Sequence, residues 1–134
     1  MIAVDTSVVV AAFATWHEGH ASAAAALARG ARVPAHVLVE AYSVLTRLPP
    51  PHRAPAGLVA SFLGSRFPGA PLMLPARDHL RLIQRVAAAG LTGGSVHDAL
   101  TAATAKQAGA RLLTRDRRAV LTYEAMGTDH QFLN

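Results

Sequence analysis

Apolar positions along the chain fall into two kinds of run. Ile2 to Val4, Pro71 to Leu74 and Leu112 to Leu113 are short and continuous, bounded by polar or turn residues, which is the pattern of strands buried on both faces. HQFLN at 130–134 is a candidate for a last strand. The longer runs carry helical spacing. TSVVVAAFA follows an Asp-Thr-Ser start, EGHASAAAALARG is Ala-rich and stops at Gly30, and HVLVEAYSVLTRL is well patterned. Residues 56 to 67 read as a fourth helix. ARDHLRLIQRVAAAG places Leu80, Ile83 and Ala87 on one face before Gly90, SVHDALTAATAKQAG ends at Gly109, and RRAVLTYEAMG ends at Gly127.

LPPPHRAP between the third and fourth helices lacks backbone donors and restricts its neighbours, so it reads as a loop. Strands that alternate with helices require crossover connections, hence an α/β fold with a mainly parallel sheet and helices on both faces. No internal repeat interrupts this order. At 134 residues the chain is expected to form one domain over 1–134, burying roughly two thirds of its unfolded surface.

Composition narrows the chemistry. The chain is 51% hydrophobic but only 5% aromatic, so its core must be close-packed Ala, Val and Leu. It has no cysteine, which removes thiolate nucleophiles, disulfides and Cys-ligated zinc. No apolar run approaches the ~18 residues that span a bilayer, and no secretory leader is visible, so a cytoplasmic protein without membrane association is expected. The net charge is +5, carried by Arg everywhere except Lys106. Arginine forks suit phosphate oxygens, although codon bias and solubility account for the same excess.

The acids are placed less evenly than the bases. Asp5 closes the first strand, Asp116 follows the strand 111–114, Asp98 sits in the first turn of the preceding helix, and Glu40 lies within helix 36–47. Ligands of open parallel sheets bind beyond the carboxyl ends of the strands, which puts Asp5 and Asp116 on that rim. Each acid also has a structural reading. Asp5 and Asp116 can cap the helices that follow them, and Ser95 with Asp98 matches a capping box. Glu40, on a segment containing Val37, Leu38, Val39, Val44 and Leu45, needs a partner such as an arginine.

Four carboxylates converging on one rim would oppose each other's ionisation unless a cation lay among them. Oxygen ligands without cysteine suit Mg²⁺ or Mn²⁺. Such a site activates water and stabilises a leaving alkoxide, and Arg115, Arg117 and Arg118 stand ready as phosphate contacts. Together these groups point to phosphodiester chemistry.

The motifs IAVDTSVVVAA, VEAYSVLTRL, VHDALTAATA and LLTRDRRAV together resemble the PIN-domain nucleases, and more narrowly the VapC-type toxins of toxin–antitoxin pairs. That resemblance covers nearly the whole chain. It implies a PIN-like three-layer fold with a central, mainly parallel sheet, and a Mg²⁺-dependent endoribonuclease that works as a homodimer and is silenced by a cognate antitoxin. It also implies Asp5 and Asp98 as principal metal ligands, Glu40 and Asp116 completing the catalytic cluster, and the hydroxyls of Ser7 and Thr114 in support.

Two rivals keep the acids but change their use. An aspartyl-phosphate phosphatase would employ Asp5 as nucleophile, and a receiver-like binding module would hold Mg²⁺ without hydrolysis. Both call for a second acid near the first and a late lysine, whereas position 7 is Ser and Lys106 is in mid-helix. Seven histidines form no metal-spaced pair and read mostly as surface residues, with His97 a minor candidate beside Asp98. Trp16, Tyr42 and Tyr123 are too scattered in sequence to suggest a base-stacking sheet.

Overall fold

The computed structural model describes all 134 residues. Its elements run β1 (Ile2–Val4), α1 (Thr6–Phe13), α2 (His20–Ala28), α3 (Ala35–Arg47), α4 (Ala56–Arg66), a 3₁₀ turn (Ala76–Asp78), α5 (His79–Ala88), α6 (Ser95–Gln107), β2 (Arg111–Thr114), α7 (Arg117–Ala125) and β3 (His130–Phe132). The sheet order is β1-β2-β3 and every pairing is parallel, with Ala3 opposite Leu112 and Val4 opposite Leu113.

Because side chains alternate across a strand, that register splits the core in two. Ala3 and Leu112 face one cluster, shared with Ala99, Ala102 and Ala105 of α6 and with Ala119, Tyr123 and Met126 at α7. Val4 and Leu113 face the other, shared with Val8 and Val9 of α1, Ala23 and Ala26 of α2, and Val37 and Ala41 of α3. The alanines let α6 and α2 lie close to their neighbours, and helices on both faces make three layers.

The sheet continues past β1 only through single bridges, Ala3 with Arg32 and Pro34 with Leu72. Pro71 to Leu74 is therefore not a full strand. Pro34 has no N–H to donate, so the pairing passes through Val33 O and Ala35 N, which bond Leu72 at 2.9 and 2.8 Å, and goes no further. Leu72 and Leu74 are buried as expected, but Met73 between them is exposed.

α5 corrects a second expectation. Its buried positions are Leu82 and Val86, one turn apart, whereas Leu80 is 78% and Ile83 50% exposed. The helix carries two apolar stripes. Leu82 and Val86 are the pair that meets Leu72 and Leu74 in the first core cluster, and this leaves Leu80, Ile83 and Ala87 outward.

Candidate functional site

The carboxyl ends of β1 and β2 open into a cleft of about 750 Å³, and Asp5, Glu40, Asp98 and Asp116 all line it. Four elements deliver them. Asp5 and Asp116 leave the ends of adjacent strands, Glu40 comes from the middle of α3, and Asp98 from the first turn of α6. Ser7, Arg115 and Arg118 line the same cleft.

Asp5 is the fixed point. It is 5% exposed and N-caps α1, where its Oδ1 accepts from Val8 N at 3.3 Å and from the Ser7 hydroxyl at 2.5 Å. Its other oxygen accepts from the Tyr123 hydroxyl at 2.7 Å. Ser7 in turn accepts from Arg115 N at 2.8 Å and lies 3.4 Å from Thr114 Oγ1, which ties the end of β1 to the end of β2, while Thr114 Oγ1 also accepts from Asp116 N at 3.0 Å. Burial pushes the Asp5 carboxyl above its ordinary pKa, against the opposing pull of the Ser7, Thr114 and Tyr123 hydroxyls and the Val8 amide.

The capping readings resolve differently for each acid. Asp116 does cap α7, accepting from Arg118 N at 2.9 Å, and its side chain still borders the cleft. Asp98 caps nothing: the N-cap of α6 is Gly94 without a side-chain bond, and Ser95 donates to Thr92 O instead. Asp98 titrates at about 6, raised by burial first and then by the charges of Asp116, Asp5 and Glu40. The other three acids are thus close enough for their charges to act on Asp98.

Glu40 has no arginine partner. Its neighbour is His36, with Nε2 at 3.8 Å. His36 Nε2 is hydrogen-bonded to Thr101 Oγ1 at 2.7 Å, and the Thr101 hydroxyl also reaches His97 O at 3.2 Å. Burial and the nearby His97 lower the His36 pKa to about 4, and Glu40 is raised mainly by burial. The pair is therefore no ion pair at neutral pH. The histidines are also less superficial than expected: His36, His20 and His17 all hydrogen-bond locally, and His17 and His97 line the cleft.

The three arginines separate. Arg118 stands at the cleft with a side chain 96% exposed. Arg115 is half-sunk, donating to Leu133 O at 2.8 Å and facing the exposed Glu18 at 3.6 Å, and its Nε is buried without a partner. Arg117 does not line the cleft, contrary to its place in the sequence cluster. It lies over the Phe132 ring at 4.2 Å because α7 turns successive side chains about 100° apart, and it borders a neighbouring groove with Glu18 and Arg115. Lys106 is remote from the acids, beside Leu74, Leu82 and Arg85, so the lysine that either rival reading needs is not at the rim.

Gly19 packs against Arg115 so closely that a Cβ there would overlap the guanidinium. Gly19→Ala is expected to unseat Arg115 and release its bond to Leu133 O, costing about 1 kcal/mol. In a double-mutant cycle read by thermal unfolding, the change should cost much less in an Arg115→Ala background. Equal costs in both backgrounds would show that Gly19 acts on something else.

Tyr123 is the residue that sequence reasoning missed. A signal existed: Ala119, Thr122, Tyr123 and Met126 form the buried stripe of α7, and a phenol on such a face needs a hydrogen-bond partner. Arg47, Glu18 and His17 also line the cleft without any local pattern to mark them.

No three Asp, Glu or His side chains close into a ready-made coordination sphere. The donor set nevertheless fits a hard divalent cation, because it is all oxygen and Asp98 is raised by burial and then by the charges of the other three. Mg²⁺ retains several waters and takes only one or two carboxylates directly, so a looser ring of acids suits it.

A parallel three-layer α/β body with an acidic cleft at its strand ends defines the class, and the comparisons agree. The family model described as the PIN domain matches residues 2–124. The chain is 54% identical over 126 residues to Ribonuclease VapC40 of Mycobacterium tuberculosis, covering 94% of both chains. It is 44% identical over 127 residues to Ribonuclease VapC27 of the same organism, covering 94% of this chain and 92% of that one. Among solved structures, FitAB bound to an IR36 DNA fragment matches with a TM-score of 0.72 at 18% identity, over 98% of this chain and 94% of that one. VapBC2 from Rickettsia felis bound to a DNA fragment from their promoter matches with a TM-score of 0.67 at 18% identity, covering both chains fully. The chain belongs to the PIN-domain family, and within it to the VapC type.

Proposed function

We propose that this protein is a metal-dependent endoribonuclease, the toxin of a toxin–antitoxin pair. The observation that carries the reading is the convergence of Asp5, Glu40, Asp98 and Asp116 on one cleft, with Asp98 raised by burial and then by the charges of the other three. The two VapC relatives bear the name ribonuclease, which fixes the substrate class of the proposal.

Asp5 and Asp98 would hold a Mg²⁺ ion, with Glu40 and Asp116 completing the ring, and Mn²⁺ would serve as well. Such an ion supplies Lewis acidity toward the phosphate and lowers the pKa of water. The chain's own residues do the rest. Ser7 and Tyr123 orient Asp5 and, by donating to it, favour its ionised form against burial. Asp116, hydrogen-bonded to the first turn of α7, is held at a fixed angle to the cleft. Arg118, with no strong partner, is free to meet a phosphate. Arg115, held by its bond to Leu133 O, has an exposed glutamate as its one acidic neighbour, a contact worth little, so a phosphate can displace Glu18 from it.

An antitoxin that covers this cleft and a homodimer belong to the same reading. Leu80, Ile83 and Met73, exposed on and before α5, offer a second copy an apolar surface. No helix is long and apolar enough to cross a membrane.

The test is incubation of purified, antitoxin-free protein with total bacterial RNA in Mg²⁺, Mn²⁺ or EDTA. Discrete fragments with either metal and none in EDTA are expected. Undiminished cleavage in EDTA would overturn metal dependence, and intact RNA in all three would overturn the nuclease reading.

A further inference from the structure

Trp16 is the only tryptophan in the chain, and it is half in water, at 52% exposed. It lies between α1 and α2, and its indole stacks on the imidazole of His52 from the α3–α4 loop, with ring centroids 3.9 Å apart and planes inclined by 30°. Two loops distant in sequence thus meet to hold one aromatic surface. The end of α1 is joined to the middle of α4 by an edge-to-face contact of Phe13 and Phe62 at 5.2 Å, and the α3–α4 loop is anchored by Ala54, buried with Leu45 and Val59.

The position relates this surface to the acids. His17 and Glu18, the next two residues, line the carboxylate cleft, so the indole sits one residue outside its wall. Two arginines belong to the same segments: Arg47, at the end of α3, lines the cleft, and Arg53, next to His52 in the chain, is held by its Nε bond to Leu48 O at 2.9 Å. An exposed indole fixed by a stack, on a loop whose next two residues line a cleft that also holds Arg47, is suited to receive an unstacked base.

We propose that Trp16, supported by His52, is a nucleobase-stacking platform that grips a single-stranded RNA base next to the scissile phosphate. This rests on the ribonuclease reading. It adds a specificity element: the preferred target is a loop or other unpaired segment, since a base within a duplex presents no free face.

The single tryptophan is its own probe. The test titrates the metal-free protein in EDTA with single-stranded oligoribonucleotides, reading indole fluorescence, alongside the same oligomers carrying abasic sites and a matched duplex. Stacking should quench the emission with the intact single strand and much less with the abasic or duplex forms. Binding followed by fluorescence anisotropy of labelled RNA should weaken about 5- to 150-fold in Trp16→Ala, the range of one aromatic–base stack, and recover largely in Trp16→Phe. His52→Ala should weaken it less.

Bound RNA with unchanged indole emission would overturn the platform and leave the indole to a protein partner, while metal-dependent cleavage would keep the nuclease reading intact. Equal weakening in Trp16→Ala and Trp16→Phe would equally overturn it. RNA that neither binds nor is cleaved would overturn both.

Discussion

Asp98→Asn is expected to raise the melting temperature of the metal-free protein while removing its ribonuclease activity. The two effects share a cause. In the folded chain Asp98 titrates at about 6, against an ordinary value of 3.8, because burial and the charges of Asp116, Asp5 and Glu40 disfavour its ionised form. The folded state therefore binds more protons than the unfolded one between about pH 4 and 6, and stability falls as pH rises through that window. Above it, the carboxylate is ionised at a net cost. Asn keeps the shape and discards the charge. Asp98 is half-exposed and the penalty is screened, so the gain at pH 7 should be about 1 kcal/mol, or about 3–5 °C in Tm.

Activity should move the other way. A site that relies on oxygen anions to hold Mg²⁺ loses several kcal/mol of transition-state stabilisation with a principal ligand, at least about a thousandfold in rate. In the unsubstituted protein, cleavage should decline as pH falls below about 6, and Mn²⁺ should raise Tm more than it does in Asp98→Asn. Thermal unfolding with and without Mn²⁺, paired with cleavage assays, checks all of these. A variant that melts lower than the parent without metal would mean that Asp98 is structurally satisfied rather than repelled.

The contrast between Asp98 and α5 shows what kind of information a sequence of this length holds. The four acids were legible because each sits at an element boundary or on an incongruously apolar stretch, and because open parallel sheets gather their strand ends on one rim. Local pattern and global topology agreed there. On α5 local pattern alone was ambiguous: two apolar stripes share the helix, and only the position of Leu72 and Leu74 decides that Leu82 and Val86 turn inward. Arg117 parts from its neighbours for a related reason. Adjacent arginines look like one cluster in sequence, but the helical period sends Arg117 to Phe132 and Arg118 to the cleft. The Trp16–His52 stack lay beyond reach altogether, since 35 positions and two loops separate its partners. Pairings that depend on how loops dock leave no local trace.

Tyr123→Phe is the second large effect, and its stability change should have the opposite sign to that of Asp98→Asn. The phenol hydrogen bonds Asp5 Oδ2 at 2.7 Å in a buried setting, and Phe preserves the ring while removing only that donor. An acceptor left buried without its partner costs about 1–3 kcal/mol, so the variant should melt lower than its parent. Of the other groups that favour the ionised form of Asp5, Ser7 and Val8 both donate to Oδ1, and the Thr114 hydroxyl adds its pull. Its carboxyl, already raised by burial, should rise further once a donor to its ionised form is lost. Metal affinity should drop about 10- to 100-fold, as for other partners that orient a ligand from behind. The signature is therefore threefold: a lower Tm, a cleavage profile displaced toward higher pH, and recovery of rate at high Mn²⁺. A tyrosine that merely packs would change Tm without moving the pH profile, and that outcome would leave the ionised form of Asp5 supported by the Ser7 and Thr114 hydroxyls and the α1 amide.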